Sequence, residues 1–111
     1  MAIYNPGTGY QKWIAEDFKK EYDQLSEDQK IVLSNWIDKN CYPTIKSINY
    51  EHHSYGLKHV FERSDRGYYI TNDQFKYAMW LKNFLIDCID NLNWCFNISS
   101  KSNCMKNFSN Y

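Results

Sequence analysis

His59 and Glu62, three residues apart, are the nearest approach to a catalytic pair in this 111-residue chain. On an α-helix that spacing puts both side chains on one face, where an imidazole can act as a base and a carboxylate can orient it. The same pair arises by chance on many helices, so on its own it does not define an enzyme. His52 and His53 stand just before a predicted helix as ligands, proton carriers or surface groups. Neighbouring side chains do not easily share one face, which favours the surface reading. Cys41, Cys88, Cys95 and Cys104 form no C-x-x-C pair. A zinc site completed by His52, His53 or His59 would need closely paired ligands, so reduced thiols are the expectation. A glycine-rich phosphate loop, G-x-S-x-G and H-E-x-x-H are all missing from the sequence. The chain therefore reads as a protein without catalytic residues, metal site or cofactor.

Composition narrows the classes further. Thirteen basic and thirteen acidic side chains give zero formal charge, which argues against both a basic nucleic-acid footprint and an acidic, DNA-like surface. Aromatic residues make up 18% of the chain. A core built from rings follows, and surplus Tyr and Trp on the surface would be interface anchors. Neither a signal peptide nor an apolar run long enough to span a membrane is visible. The expectation is one cytoplasmic domain over residues 1–111, without disulfides and without a membrane partner.

The elements that must position any site can be read from periodicity and punctuation. Residues 1–9 hold Asn5, Pro6, Gly7, Thr8 and Gly9 and read as an irregular lead-in, with Ile3 and Tyr4 free to dock. Over 10–42 a helical hairpin is predicted. Its first stripe is Tyr10, Trp13, Ile14, Phe18, Tyr22 and Leu25, set against a charged face with pairs such as Glu16–Lys20. Ser26 and Gln29 form a capping box for the second helix, whose stripe is Val32, Leu33, Trp36 and Ile37. Tyr42-Pro43 ends that helix. Residues 44–53 fit either a helical turn or a loop.

A helix–strand–helix–strand unit is predicted over 54–98. Ser54 is the N-cap candidate for a helix burying Gly56, Leu57, Val60 and Phe61, and Gly56 implies close approach of another backbone. Residues 64–67 make a turn, Tyr68–Ile70 a short strand, and Thr71 with Gln74 a second capping box. The helix that follows carries two stripes. Phe75, Ala78 and Met79 belong to the core, while Tyr77, Trp80, Leu81 and Phe84 face either the core or a partner. Alternation at Trp94, Phe96 and Ile98 predicts a strand pairing with Tyr68–Ile70. Residues 99–111 are a polar tail that Met105, Phe108 and Tyr111 could pin. The fold class is α+β, mainly helical, with about four helices, a small two-stranded antiparallel sheet and a winged-helix-like C-terminal half.

That order of elements admits a helix-turn-helix reading. Asn72, Gln74, Lys76 and Lys82 would face a groove, with Arg63 and Arg66 near phosphates. Against it stand the zero net charge and the bulk of Tyr77 and Trp80.

The runs Ser54–His59, Phe61-Glu62, Gly67–Asn72, Gln74–Lys76 and Ala78-Met79, with Leu92–Trp94 and Phe96–Ser99, resemble small proteins encoded on phages and integrative elements of low-GC Gram-positive bacteria. Tyr77, Trp80 and Asn83 depart from that pattern, though Asn83 can still take a left-handed cap. The resemblance implies a mobile-element accessory protein, a class that includes anti-CRISPR inhibitors of RNA-guided type II nucleases. The expected partner is accordingly a host defence protein, such as a CRISPR nuclease or its guide-RNA complex, and direct nucleic-acid binding is the alternative. Expected contacts are Tyr69, Lys76, Tyr77 and Trp80, with Arg63 and Arg66 at the rim. On that reading, Tyr77→Ala with Trp80→Ala would abolish inhibition and leave the fold intact.

Overall fold

A computed structural model describes residues 12–106 and Phe108, with side chains described from Asp17 onward. Among them the order is α1 (Lys12–Tyr22), α2 (Glu27–Asn40), β1 (Thr44–Asn49), α3 (Ser54–Glu62), α4 (Asn72–Leu81), β2 (Phe96–Ile98) and α5 (Asn103–Lys106). This is the small, mainly helical α+β domain that the pattern predicts, with one two-stranded antiparallel sheet. The lead-in at 1–9, the side chains of Tyr10, Trp13, Ile14 and Glu16, and Tyr111 lie outside the described residues.

Two helices start where local chemistry says they should. Ser26 Oγ accepts the Gln29 N–H at 3.1 Å, and Gln29 Oε1 accepts the Ser26 N–H at 2.8 Å. Thr71 and Gln74 repeat the exchange at 3.1 and 2.9 Å. Each box satisfies two orphan amides, and a cap of this kind contributes about 1 kcal/mol. After α4, Asn83 takes the left-handed conformation, φ 65°, as its side chain permits. The start of α3 differs from expectation. His53 occupies the cap position without a side-chain bond. Ser54 is the first helical residue, and its Oγ accepts the Trp94 N–H at 3.0 Å while its own N–H donates to the Trp94 carbonyl at 2.7 Å. The hydroxyl ties α3 to the segment before β2.

The sheet corrects the predicted pairing. β2 pairs with β1, not with Tyr68–Ile70, which forms no strand. The competing bonds explain why. The Ile70 N–H donates to Glu62 Oε2 at 3.1 Å, and the Tyr68 hydroxyl donates to the Gln29 carbonyl at 2.6 Å, so this segment is held by α3 and α2. Residues 44–49, left between helix and loop by their polarity, supply the missing strand. The register is irregular between Thr44 and Asn49, and side-chain amides bridge it. Asn49 Nδ2 donates to the Ile98 carbonyl and Asn97 Nδ2 to that of Ile45. Ile86, after α4, makes an antiparallel bridge to Phe96 without forming a strand of its own.

α4 is the centre of the fold. Every residue from Gln74 to Met79 is buried, and around it lie Trp94, Phe61, Phe96, Leu33, Ile37 and Ile70. α1 packs chiefly along α4 and not along α2, which corrects the predicted hairpin. Gln74 Nε2 donates to the Glu21 carbonyl at 2.9 Å, and the Tyr22 and Tyr77 rings sit 5.0 Å apart. Contact between the two sequential helices is instead concentrated at their junction, where Lys30 bridges Asp23 at 3.0 Å. The polar tail is pinned: α5 buries Cys104 and Met105. The Phe108 ring stacks on His52 at 3.5 Å and would lie 2.9 Å from a Cβ at Gly56. Gly56 therefore answers a ring and not a second backbone.

Candidate functional site

Tyr55, Lys58, His59 and Glu62 follow the i, i+3, i+4, i+7 spacing of one helical face, and Glu62 organises them. Its Oε1 meets His59 Nδ1 at 2.9 Å, and its Oε2 accepts from Lys58 Nζ at 3.0 Å and from the Ile70 N–H at 3.1 Å. Burial alone would raise the Glu62 pKa. The bonds from Lys58, Ile70 and His59 outweigh it and hold the carboxyl below its ordinary range. The carboxylate is thus a fixed acceptor that joins α3 to the segment entering α4.

Aromatic rings lie around this ionic base. Lys58 Nζ sits 5.2 Å from the Tyr55 ring centre and 5.0 Å from that of Tyr69, within the range of a cation–π contact. The Lys58 side chain is almost wholly covered, whereas Tyr69 is 77% exposed and Tyr55 about half exposed. Tyr55 also meets His59 edge-on at 4.6 Å. The result is a pair of open phenol rings on a base with little freedom, suited to burying aromatic area against another surface at low entropic cost.

The predicted contact residues separate into two groups. Arg63, Arg66 and Tyr69 are exposed on α3's end and the connection to α4. Lys76, Tyr77 and Trp80 are brought inside. Tyr77 is 5% exposed, between Tyr22 and Trp80 at 5.0 and 5.5 Å. Trp80 is partly buried against the same cluster. Within the second stripe Tyr77 is covered by Tyr22 of α1 and Phe84 packs against Tyr42 and Phe96, while Leu81 stays 45% exposed; Tyr77→Ala with Trp80→Ala would damage the core, contrary to the sequence expectation. Lys76 is 2% exposed. Its ammonium donates to the Leu92 and Asn91 carbonyls at 2.8 and 3.3 Å, with the Phe18 and Trp94 rings each 4.5 Å away.

The groove-reading set is engaged in the same way. Asn72 donates to the Leu92 carbonyl and to Asn93 Oδ1, Gln74 to the Glu21 carbonyl, and Lys82 pairs with Asp38 at 2.9 Å. With residues 74–79 buried, α4 has no open face to lay in a groove. All four cysteines are free and buried, and no cluster of metal-ligating side chains occurs among the described residues.

Tyr55, half exposed, and Lys58, buried beneath the rings, belong to this face although neither is among the predicted contacts. Their signal in the sequence is the spacing they share with His59 and Glu62, which extends that pair to a helical face. His59, about one-third exposed, has its Nδ1 committed to Glu62, an arrangement that positions an imidazole as a base or as a contact group. No family model, curated protein or solved structure matches the chain.

Proposed function

We propose that this protein is a non-catalytic inhibitor of a host defence system, an accessory of a mobile element that acts in the cytoplasm by protein–protein contact on an RNA-guided type II nuclease. The observation carrying the contact mode is the exposed pair Tyr55 and Tyr69 over the buried Lys58–Glu62 ion pair. Rings of this kind are enriched where a few side chains carry most of an interface. The nuclease as partner is supported by the resemblance of residues 54–79 and 92–99 to small mobile-element proteins. Zero net charge supports blocking a protein surface or guide-RNA loading over imitation of DNA. Arg63 lies at the rim of the contact.

The test is plasmid interference by a type II nuclease with and without the protein, alongside pull-down of that nuclease. Tyr55→Ala with Tyr69→Ala should weaken inhibition at least about tenfold, while loss of the two cation–π contacts to Lys58 costs about 1–2 kcal/mol of stability and leaves the protein folded. Undiminished inhibition by the folded double variant would remove this face from the mechanism. Failure of the native chain to bind or inhibit any type II nuclease, alone or with guide RNA, would reject the partner.

A further inference from the structure

The connection between α3 and α4 forms, with α2, a cleft of about 360 Å³, within the size range of small-molecule sites. Its apolar lining is Val32 and Trp36, with Phe61 wholly buried against Trp36, and Lys39, Asp65 and Arg66 supply charge. Both walls are fixed before any ligand arrives. Trp36 packs edge-on against Phe61 at 5.4 Å and against Phe75 at 6.4 Å. Ser64 Oγ donates to the Phe61 carbonyl at 2.6 Å, the Gly67 N–H to the Ser64 carbonyl at 3.0 Å, and Tyr68 Oη to Gln29 on α2 at 2.6 Å. Gly67 is obligatory in this turn, because a Cβ there would stand 2.0 Å from the Phe61 carbonyl oxygen. A cleft whose walls are already bonded to each other loses little entropy on filling.

Its free polar groups define the ligand. Ser64, which also lines the cleft, spends its hydroxyl proton on the Phe61 carbonyl, and Asn40 one amide N–H on that of Trp36, while Asn35 adds an exposed carboxamide to the lining. Lys39 and Arg66 are exposed, and neither joins an ion pair with another described residue, nor does Asp65. Two cations and one carboxylate leave one net positive charge beside the part-exposed Trp36 ring. That charge complements a monoanion, and Asp65 opposes a second negative charge on the same ligand. We propose that this cleft binds a free planar aromatic monocarboxylate, its ring on Trp36 and its carboxylate shared by Lys39 and Arg66. The site is independent of the tyrosine face and does not rest on the proposed inhibitory role.

The test is a titration of the full ¹⁵N-labelled chain with indole-3-acetate, with indole and phenyl phosphate as comparators, followed by amide chemical shifts. Indole-3-acetate should give saturable shifts confined to 31–40 and 61–68, and bind at least about tenfold tighter than indole or phenyl phosphate. Lys39→Gln with Arg66→Gln alters exposed side chains and leaves the aromatic lining in place, so it should fold and lose that preference. Shifts that do not saturate by about 10 mM, equal binding of indole, tighter binding of phenyl phosphate, or unchanged affinity of the double variant would each overturn the assignment.

Discussion

Replacing Lys76 with methionine or alanine separates what its ammonium contributes from what its stem contributes. The two bonds to the Leu92 and Asn91 carbonyls are charge-assisted, nominally about 1.5–3 kcal/mol each, and the flanking Phe18 and Trp94 rings add about 2 kcal/mol when desolvated. Taking an ammonium out of water costs several kcal/mol in the opposite direction. Removal is also softened on the acceptor side. Leu92 keeps the Asn72 Nδ2 donor at 3.1 Å, and the Asn91 carbonyl belongs to an exposed residue that water can reach. The expected net loss for Lys76→Met is therefore only about 1–2 kcal/mol, whereas Lys76→Ala adds an unfilled core volume and should cost about 3–5 kcal/mol. Urea unfolding gives both numbers, and amide exchange should show residues 91–93 opening in the methionine variant. Burial holds the Lys76 pKa below its ordinary value, with Asp73 opposing. Between the depressed folded value and the ordinary one, the unfolded chain binds the extra proton, so this group's contribution to stability rises with pH. That increment should vanish in both variants. Methionine and alanine variants of equal stability, or a methionine variant more stable than the native protein with unchanged exchange at 91–93, would refute the reasoning.

Two further perturbations probe the joints around the tyrosine face. Glu62→Gln should cost about 2 kcal/mol at pH 7, because Lys58 and the Ile70 N–H lose a charged acceptor. Since the Glu62 carboxyl titrates below its ordinary value near 4.5, its contribution is present above that pH and lost as pH falls through the folded value. The acid limb of a urea-stability profile should be shallower in the variant, and an identical limb would count against the role given to Glu62. Tyr68→Phe removes the 2.6 Å bond to Gln29 and should cost about 1 kcal/mol. Burial, and secondarily Tyr22, pushes the Tyr68 phenol up to about 12. Its stabilisation is complete below the ordinary value near 10 and lost between there and about 12. Denaturant titrations at alkaline pH should show that loss in the native protein and not in the phenylalanine variant.

How far each feature could be read depended on whether its cause lay within a few residues. Both capping boxes and the Asn83 cap were legible because their donors, acceptors and backbone preferences are local. The strand at 68–70 was misplaced for a non-local reason. Tyr68 and Ile70 have strand-like composition, yet their polar groups are taken by Gln29 and Glu62. β1 was hidden in the opposite way, since Thr44–Ser47 are all exposed and so carry no alternation of burial for a period-two pattern to reveal. α5 was concealed by its polar flanks, and only its Cys104 and Met105 reach the core.

The site shows the same division, with a consequence for function. A helical period tells which residues share a face but not which element covers it. Lys76 looked like surface because of its charge, and Tyr77 looked like an anchor because of its bulk. In the fold, α1 supplies Phe18 and Tyr22 to receive them, and the carbonyls of 91 and 92 accept the ammonium. With residues 74–79 buried, Tyr77 is spent on the core of this chain. Exposed rings remain at Tyr42 and Tyr50 on either side of β1 and at Tyr55 and Tyr69 on and just after α3, and at the last two the Lys58–Glu62 pair supplies a stiff base. His59 and Glu62, which have the spacing of a base and its orienter, are also parts of that base. Glu62 binds Lys58, His59 and the Ile70 amide together, and this shared load is what a truncation at Tyr55 or Tyr69 leaves intact while removing the rings.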